Sequence, residues 1–257
     1  MGYLIDTHCH LHDREFFSAE QAEEMLKRAW EKNVRRIICV GTSDEDSRKA
    51  AEFTRTHDHV YWTYGVHPEN AGKVGAWLPE YNFLRDRALP IAIGEVGLDY
   101  HYEGYDRAAQ IRLFEQMLQL AVDNDLPVSF HIREAFDDFF PVVGNFSGLR
   151  GVVHSFSDNK KNLRRILETT DFYVGVNGMA TYSTLPTPPL SRILLETDAP
   201  FLTPKPFRGI INEPGYIPEI ARWLSNKLGL DYQIIEEETT KNAERLFKFP
   251  DTVLCEE

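Results

Sequence analysis

The sequence predicts an α/β fold, a single (β/α)8 TIM barrel of eight parallel strands alternating with helices. Three observations carry that expectation. Short apolar runs rich in Val, Ile and aromatic residues recur eight times along the chain. Amphipathic helical stretches fall between most of them. The length of 257 residues is the size at which such a barrel forms as one domain. A doubly wound open sheet uses the same alternation and is the other architecture open to it. No longer repeat, low-complexity tract or linker interrupts the pattern, so residues 1–257 are expected to form one domain.

The elements follow in order. YLID is the first strand, and a helical stretch near 19–32 comes after it. RRIICVG leads to a helix near 43–56, and VYWTYGV to one near 76–87. PIAIGE precedes a helix near 107–125. PVSFHI and RGVVHS come next, with a helix near 159–169. FYVGVNG and RILLETD are the last two strands, and helices near 217–228 and 231–247 close the chain. Between the last two strands only MATYSTLPTPPLS intervenes, and Pro186, Pro188 and Pro189 forbid a regular helix through its second half. A parallel crossover needs roughly a dozen residues, so the connection between strands 7 and 8 is predicted to be shortened.

Composition narrows the function classes. Hydrophobic residues make up 42% and charged residues 26%, ordinary values for a soluble enzyme. No apolar run reaches membrane-spanning length, and polar residues begin at Asp6, so neither a membrane anchor nor a signal peptide is expected. Cys9, Cys39 and Cys255 form no C-x-x-C pair and are odd in number, which fits a reducing, cytoplasmic setting. The formal net charge of −12 argues against a protein that coats nucleic acid with a broad basic surface. A nucleic-acid substrate remains open, because bound cations can dominate the field at a small site.

The segment IDTHCH places Asp6, His8 and His10 at alternate positions of a strand, on one face, with Ile5, Thr7 and Cys9 on the other. Two adjacent imidazoles form a chelating pair, or else hydrogen-bonding groups on a half-exposed strand. The other metal-capable residues fall at strand ends too. Glu95 follows IAIG, His131 follows PVSF, His154 follows GVV, and Asp198 closes ILLETD. In a parallel barrel these ends converge on the face that carries catalytic sites. His and carboxylate ligands without Cys suit hydrolytic Zn, Mn or Mg chemistry, and Glu95 could bridge two cations.

At this point the motifs become recognisable. IDTHCHL, GVHP, IGEVGLDY, SFHIREAF, VVHSFS, LLETDAPFL, NEP and the terminal TTKNAERLF resemble the TatD-type metal-dependent deoxyribonucleases, within the amidohydrolase-like metallo-dependent hydrolases. The resemblance runs from residue 5 to about 247. It implies two divalent metal cations (Mg, Mn or Zn) and hydrolysis of phosphodiester bonds, often from the 3′ end of single-stranded DNA or RNA. It implies His8, His10 and Asp198 on one cation, His131 and His154 on the other, and Glu95 shared. Asp198 would also take a proton from the attacking water, making Asp198 and Glu95 the catalytic carboxylates. His67 and Arg133 would hold substrate phosphate. Members usually carry a longer stretch, with a helix, where this chain has its short crossover.

Several alternatives stay open on the sequence. His67 is also readable as a packed strand-end imidazole, and Arg133 as a surface ion pair with Glu134 or a neighbour. Asp6 either orients a ligand imidazole or is a buried acid satisfied by backbone donors. His12 and His101 fall in loops on the active face, Cys9 is expected to pack in the core, and His57 and His59 lie at the opposite end. The same site could instead hydrolyse amides or esters, including aminoacyl-tRNA, or belong to an inactive binding module. The lack of a lysine after IAIG favours phosphodiesters, because many amidohydrolases bridge their metals with a carboxylated lysine. Nucleic-acid ends are the expected partner; no membrane or stable protein partner is expected.

Overall fold

The computed structural model describes residues 2–72 and 89–250. Its strands are β1 (Leu4–Cys9), β2 (Val34–Val40), β3 (Val60–Tyr64), β4 (Ala92–Asp99), β5 (Val128–Arg133), β6 (Gly151–Val153), β7 (Tyr173–Val176) and β8 (Ile193–Leu195). Each pairs in parallel with the next in chain order. The ends meet at a seam between β1 and the residues at and beyond β8. Thr7 Oγ1 donates to Leu195 O at 3.0 Å, Asp198 N to His8 O at 2.8 Å, and His10 N to Ala199 O at 2.8 Å. The chain is therefore a (β/α)8 barrel.

The helices are α1 (Ala19–Glu31), α2 (Asp44–Thr54), α3 (Arg107–Asp123), α4 (Phe136–Val143), α5 (Lys160–Thr169), α6 (Ile217–Leu228) and α7 (Tyr232–Phe247). Side-chain caps set their starts: Ser18 and Gln21 form a capping box, and Ser43, Asp106 and Asn159 accept from the first-turn amides of α2, α3 and α5. The helix expected near 76–87 lies outside the described residues. Helix α4 is absent from the sequence-based expectation, and it carries Pro141 in its interior. Pro141 costs the helix one hydrogen bond and about 3 kcal/mol. Against that, α4 buries Phe136, Phe139, Phe140, Val142 and Val143, each worth roughly 1.5–3 kcal/mol, so burial wins.

A large apolar cluster lies between the strands and the helices, and a smaller one within the barrel. Ile5, Ile38, Val40, Ala92, Val152, Tyr173 and Leu194 come from six strands and meet in the smaller cluster, which Leu246 and Phe247 of α7 join. Residues from so many strands meet only in the interior. Strict alternation does not hold in β1. Ile5 belongs to the inner cluster and Cys9 to the outer one, and the pairing with β2 shifts register both before Ile5 and after Asp6.

The β7–β8 connection holds 3-10 turns at Gly178–Thr181 and Leu190–Arg192 and no α-helix, as its prolines predict. Val174 and Val176 of β7 instead meet Leu185, Pro186, Pro188 and Trp223 of α6 around an apolar pocket. Among the described residues no helix is long and apolar enough to cross a membrane.

Strand β4 continues past Glu95 to Asp99, and its pairing with β5 depends on Gly97. Gly97 has φ 153°, and a Cβ there would lie 1.9 Å from His131 O. Gly97→Ala is expected to lower stability by more than about 2 kcal/mol or prevent folding, because backbone must move. Gly72→Ala, where a Cβ meets nothing within 4 Å among the described residues, is the control and is expected to change stability by less than about 0.5 kcal/mol. Urea denaturation of both variants checks this; similar midpoints would contradict it.

Candidate metal centre

Glu95 lies in β4 with only 5% of its surface exposed, and its two oxygens face different imidazoles. Oε2 is 3.5 Å from His8 Nε2 and 4.0 Å from His10 Nε2. Oε1 is 2.6 Å from His131 Nδ1, 2.9 Å from His154 Nε2 and 3.7 Å from His67 Nε2. Asp198 Oδ1 completes the first side, 3.6 Å from His8 Nε2 and 3.5 Å from His10 Nε2. The six residues singled out in the sequence as ligands thus meet at the mouth of the barrel, although β8 stops at Leu195 and Asp198 stands beyond it. Asp198 has φ 59°, a left-handed conformation that Asp tolerates better than most residues.

The nitrogen of each ring that points away from the cluster meets a different neighbour. His10 Nδ1 lies 2.9 Å from Val40 O; a carbonyl only accepts, so Nδ1 carries the proton and Nε2 presents a lone pair. His131 stands between two carboxylates, Nε2 3.0 Å from Asp99 Oδ2 and Nδ1 2.6 Å from Glu95 Oε1. His8 Nδ1 is 3.3 Å from Ser129 Oγ, and His154 Nδ1 is 3.6 Å from Glu196 Oε1. His8, His10 and His131 are therefore each held by a different strand, a usual arrangement behind metal-binding histidines, while His154 Nδ1 faces Glu196 without a hydrogen bond. His67 is the opposite case to His10. Its Nδ1 accepts from Glu69 N at 3.3 Å, so the proton sits on Nε2, which points into the site as a donor.

The electrostatics are those of a site that needs positive charge. Burial works against ionised Glu95, but His154, His131 and His8 outweigh it and hold the carboxyl well below its usual range. Asp198 is lowered against burial by His10, His154 and His8. Burial, with His154 beside it, pushes His8 down, and burial pushes His67 down to about 4. His8 Nε2 is buried without a hydrogen-bond partner while aimed between two carboxylates, an arrangement a cation resolves. Candidate ligand atoms lie within 4.8 Å of one another in three groups: His8–His10–Asp198, His67–Glu95–His131 and His8–His154–Glu196. These residues fit divalent metal, with a cysteine-free donor set suited to hydrolysis.

Other residues fall outside the sequence reading or only partly within it. Asp99 and Glu196 sit inside quoted motifs but escape assignment there. Glu196 is fully buried, and its Oε1 accepts from Ser155 N at 2.6 Å. A side chain at Gly175 would collide with Glu196, its Cβ 2.3 Å from Oε2. Asp6 proves to be satisfied by local donors: Thr197 N at 2.9 Å, Thr197 Oγ1 at 2.6 Å and His8 N at 3.3 Å. His12 is buried and bonds Asp46 of the first turn of α2 at 3.0 Å, its ring centroid 6.3 Å from that of His10. His101 is at the mouth and bonds Glu134 at 2.6 Å. Arg133 makes no ion pair among the described residues; its guanidinium packs on Tyr102. Cys9 packs in the outer core as expected. His57 is held by Phe53 O and Glu23.

Comparisons with known proteins agree with this architecture. The profile described as TatD related DNase matches residues 5–248. The metal-dependent hydrolase YabD of Bacillus subtilis (strain 168) is 32% identical, covering 95% of this chain and 99% of its own. The 3′-5′ ssDNA/RNA exonuclease TatD of Cronobacter sakazakii is 33% identical over 88% of this chain and 91% of its own. The crystal structure of YJJV, a TatD homologue from Escherichia coli K12, superposes with a TM-score of 0.86 at 28% identity, covering 96% of this chain and 98% of that one. With a parallel barrel, a six-residue His and carboxylate cluster at its mouth and a profile match across nearly its whole length, this chain belongs to the TatD-related DNase family.

Proposed function

We propose that the chain, a metal-dependent hydrolase of this family, cleaves phosphodiester bonds at the ends of single-stranded DNA or RNA, working from the 3′ end. The observation that carries this reading is the placement of Glu95, one oxygen toward His8 and His10 and the other toward His131 and His154. That geometry suits a carboxylate shared by two divalent cations, Mg, Mn or Zn. His8, His10 and Asp198 would hold one, His131 and His154 the other. Bound there, the cations supply a water of lowered pKa and offset charge on the phosphate oxygens.

The remaining work belongs to side chains. Asp198 accepts the proton of the attacking water, its carboxylate kept ionised by His10. His67 is neutral at pH 7 and offers its Nε2–H to a phosphate oxygen. Arg133 meets the phosphate with its planar fork. Residues 1–257 would act as one cytoplasmic domain. Amide or ester hydrolysis uses the same activated water; hydrolysis of an aminoacyl ester with no cleavage of an oligonucleotide would favour that reading.

Three outcomes are expected. A chelator should abolish cleavage of a labelled single-stranded oligonucleotide, and Mg, Mn or Zn should restore it; full activity in metal-free protein would refute the mechanism. Asp198→Asn keeps the shape but loses the proton acceptor, so kcat at saturating metal should fall by about 10²–10⁴ with the circular dichroism spectrum unchanged. Asp99→Asn should weaken metal binding by about 10- to 100-fold, read directly by calorimetry, because His131 loses the carboxylate that orients it.

A further inference from the structure

The loops bearing the metal-ligand candidates also carry exposed aromatic rings, at two places on the rim. Phe16 and Phe201 are 43% and 47% exposed and stand edge to face with ring centroids 5.3 Å apart. Both are tied to the site through the backbone. Phe201 N donates to Asp198 O at 2.8 Å, Phe16 N to Asp13 O at 3.3 Å, and Asp13 N to His10 O at 3.0 Å. Buried Asn212 donates its amide to Phe201 O and Thr197 O, so the Phe201 ring stands on a fixed support. At the second place Tyr102 is 54% exposed. The Arg133 guanidinium lies 5.2 Å from its ring centroid and bonds its hydroxyl at 3.3 Å.

The strand order sets these two places apart. Phe16 and Phe201 follow β1 and β8, whereas Tyr102 follows β4 and Arg133 ends β5, on the other side of an eight-stranded barrel. Glu95 of β4 and Asp198 beyond β8 meet at His8 and His10 of the mouth. A net charge of −12 leaves little affinity to be gained by neutralising many phosphates. Base faces, by contrast, stack on aromatic rings and on Arg irrespective of sequence and of protein charge.

We propose that Phe16–Phe201 and Tyr102, its ring held by Arg133, are stacking platforms for unpaired bases on the two sides of the phosphodiester to be cut. The assignment rests on the phosphodiesterase reading and specifies its substrate as a strand whose bases are free to leave one another. The platforms hold substrate; they do not take part in bond cleavage.

Steady-state kinetics of the metal-loaded enzyme on a single-stranded oligonucleotide test this. Phe201→Ala and Tyr102→Ala should each raise KM by about 5- to 100-fold, the worth of one stacked base, with kcat falling by less than about threefold. Phe201→Trp and Tyr102→Trp should restore KM to within about threefold of the parent, since any aromatic face serves. An oligonucleotide with abasic residues near its cleaved end should raise the parent's KM by a similar factor and add little to the loss in the alanine variants. If the enzyme cuts the oligonucleotide but KM responds neither to both alanine substitutions nor to missing bases, the platforms are overturned and the phosphodiester reading stands. If it cuts no oligonucleotide, both are overturned.

Discussion

A carboxylate removed from water must be met by positive charge or by donors, and Glu95 is a carboxylate almost wholly removed from water. Four imidazoles approach within 3.7 Å of its two oxygens, and His10 stands at 4.0 Å. Nothing apolar could take that place without stranding the rings around it. The mouth of the barrel is therefore organised around this one group, with the strand ends serving as mounts for its neighbours.

Those mounts are interlocked. His8 leans on Ser129 of β5, His10 on Val40 of β2, His131 on Asp99 of β4, and His154 faces Glu196 beyond β8. The orientation of the first three rings thus depends on the register of strands other than their own. A slip of one residue in β4 would carry Asp99 away from His131 and Glu95 away from every ring at once. The close backbone approach at Gly97, between these two carboxylates in sequence, maintains that register.

Much of this is legible in the sequence, and the reasons differ by element. The strands announce themselves because buried parallel strands are continuous apolar runs. The six clustered residues are legible because a parallel barrel brings successive strand ends to one face. Helix α4 carries Pro141, whose local cost is visible in the sequence while the burial of the helix's phenylalanines is not. Asp99 and Glu196 escape for another reason: a carboxylate at a strand end looks the same whether it ligates, orients a ring or accepts from backbone. The twist in β1 that sends Ile5 inward and ties Asp6 to Thr197 is likewise a tertiary matter, set by the partner strand.

The seam between β1 and the residues after β8 joins positions far apart in the chain, 191 residues between Asp6 and Thr197. Closing so long a loop costs more chain entropy than pairing strands that are neighbours in sequence. His8 and His10 stand on one side of that seam and Asp198 on the other. A cation held by all three would accordingly be a cross-link as well as a reagent, its binding free energy adding to the closure of the ring. Conformational stability and metal occupancy are linked functions in such a molecule, and the resistance of the barrel to unfolding rises with the free concentration of the ion it employs.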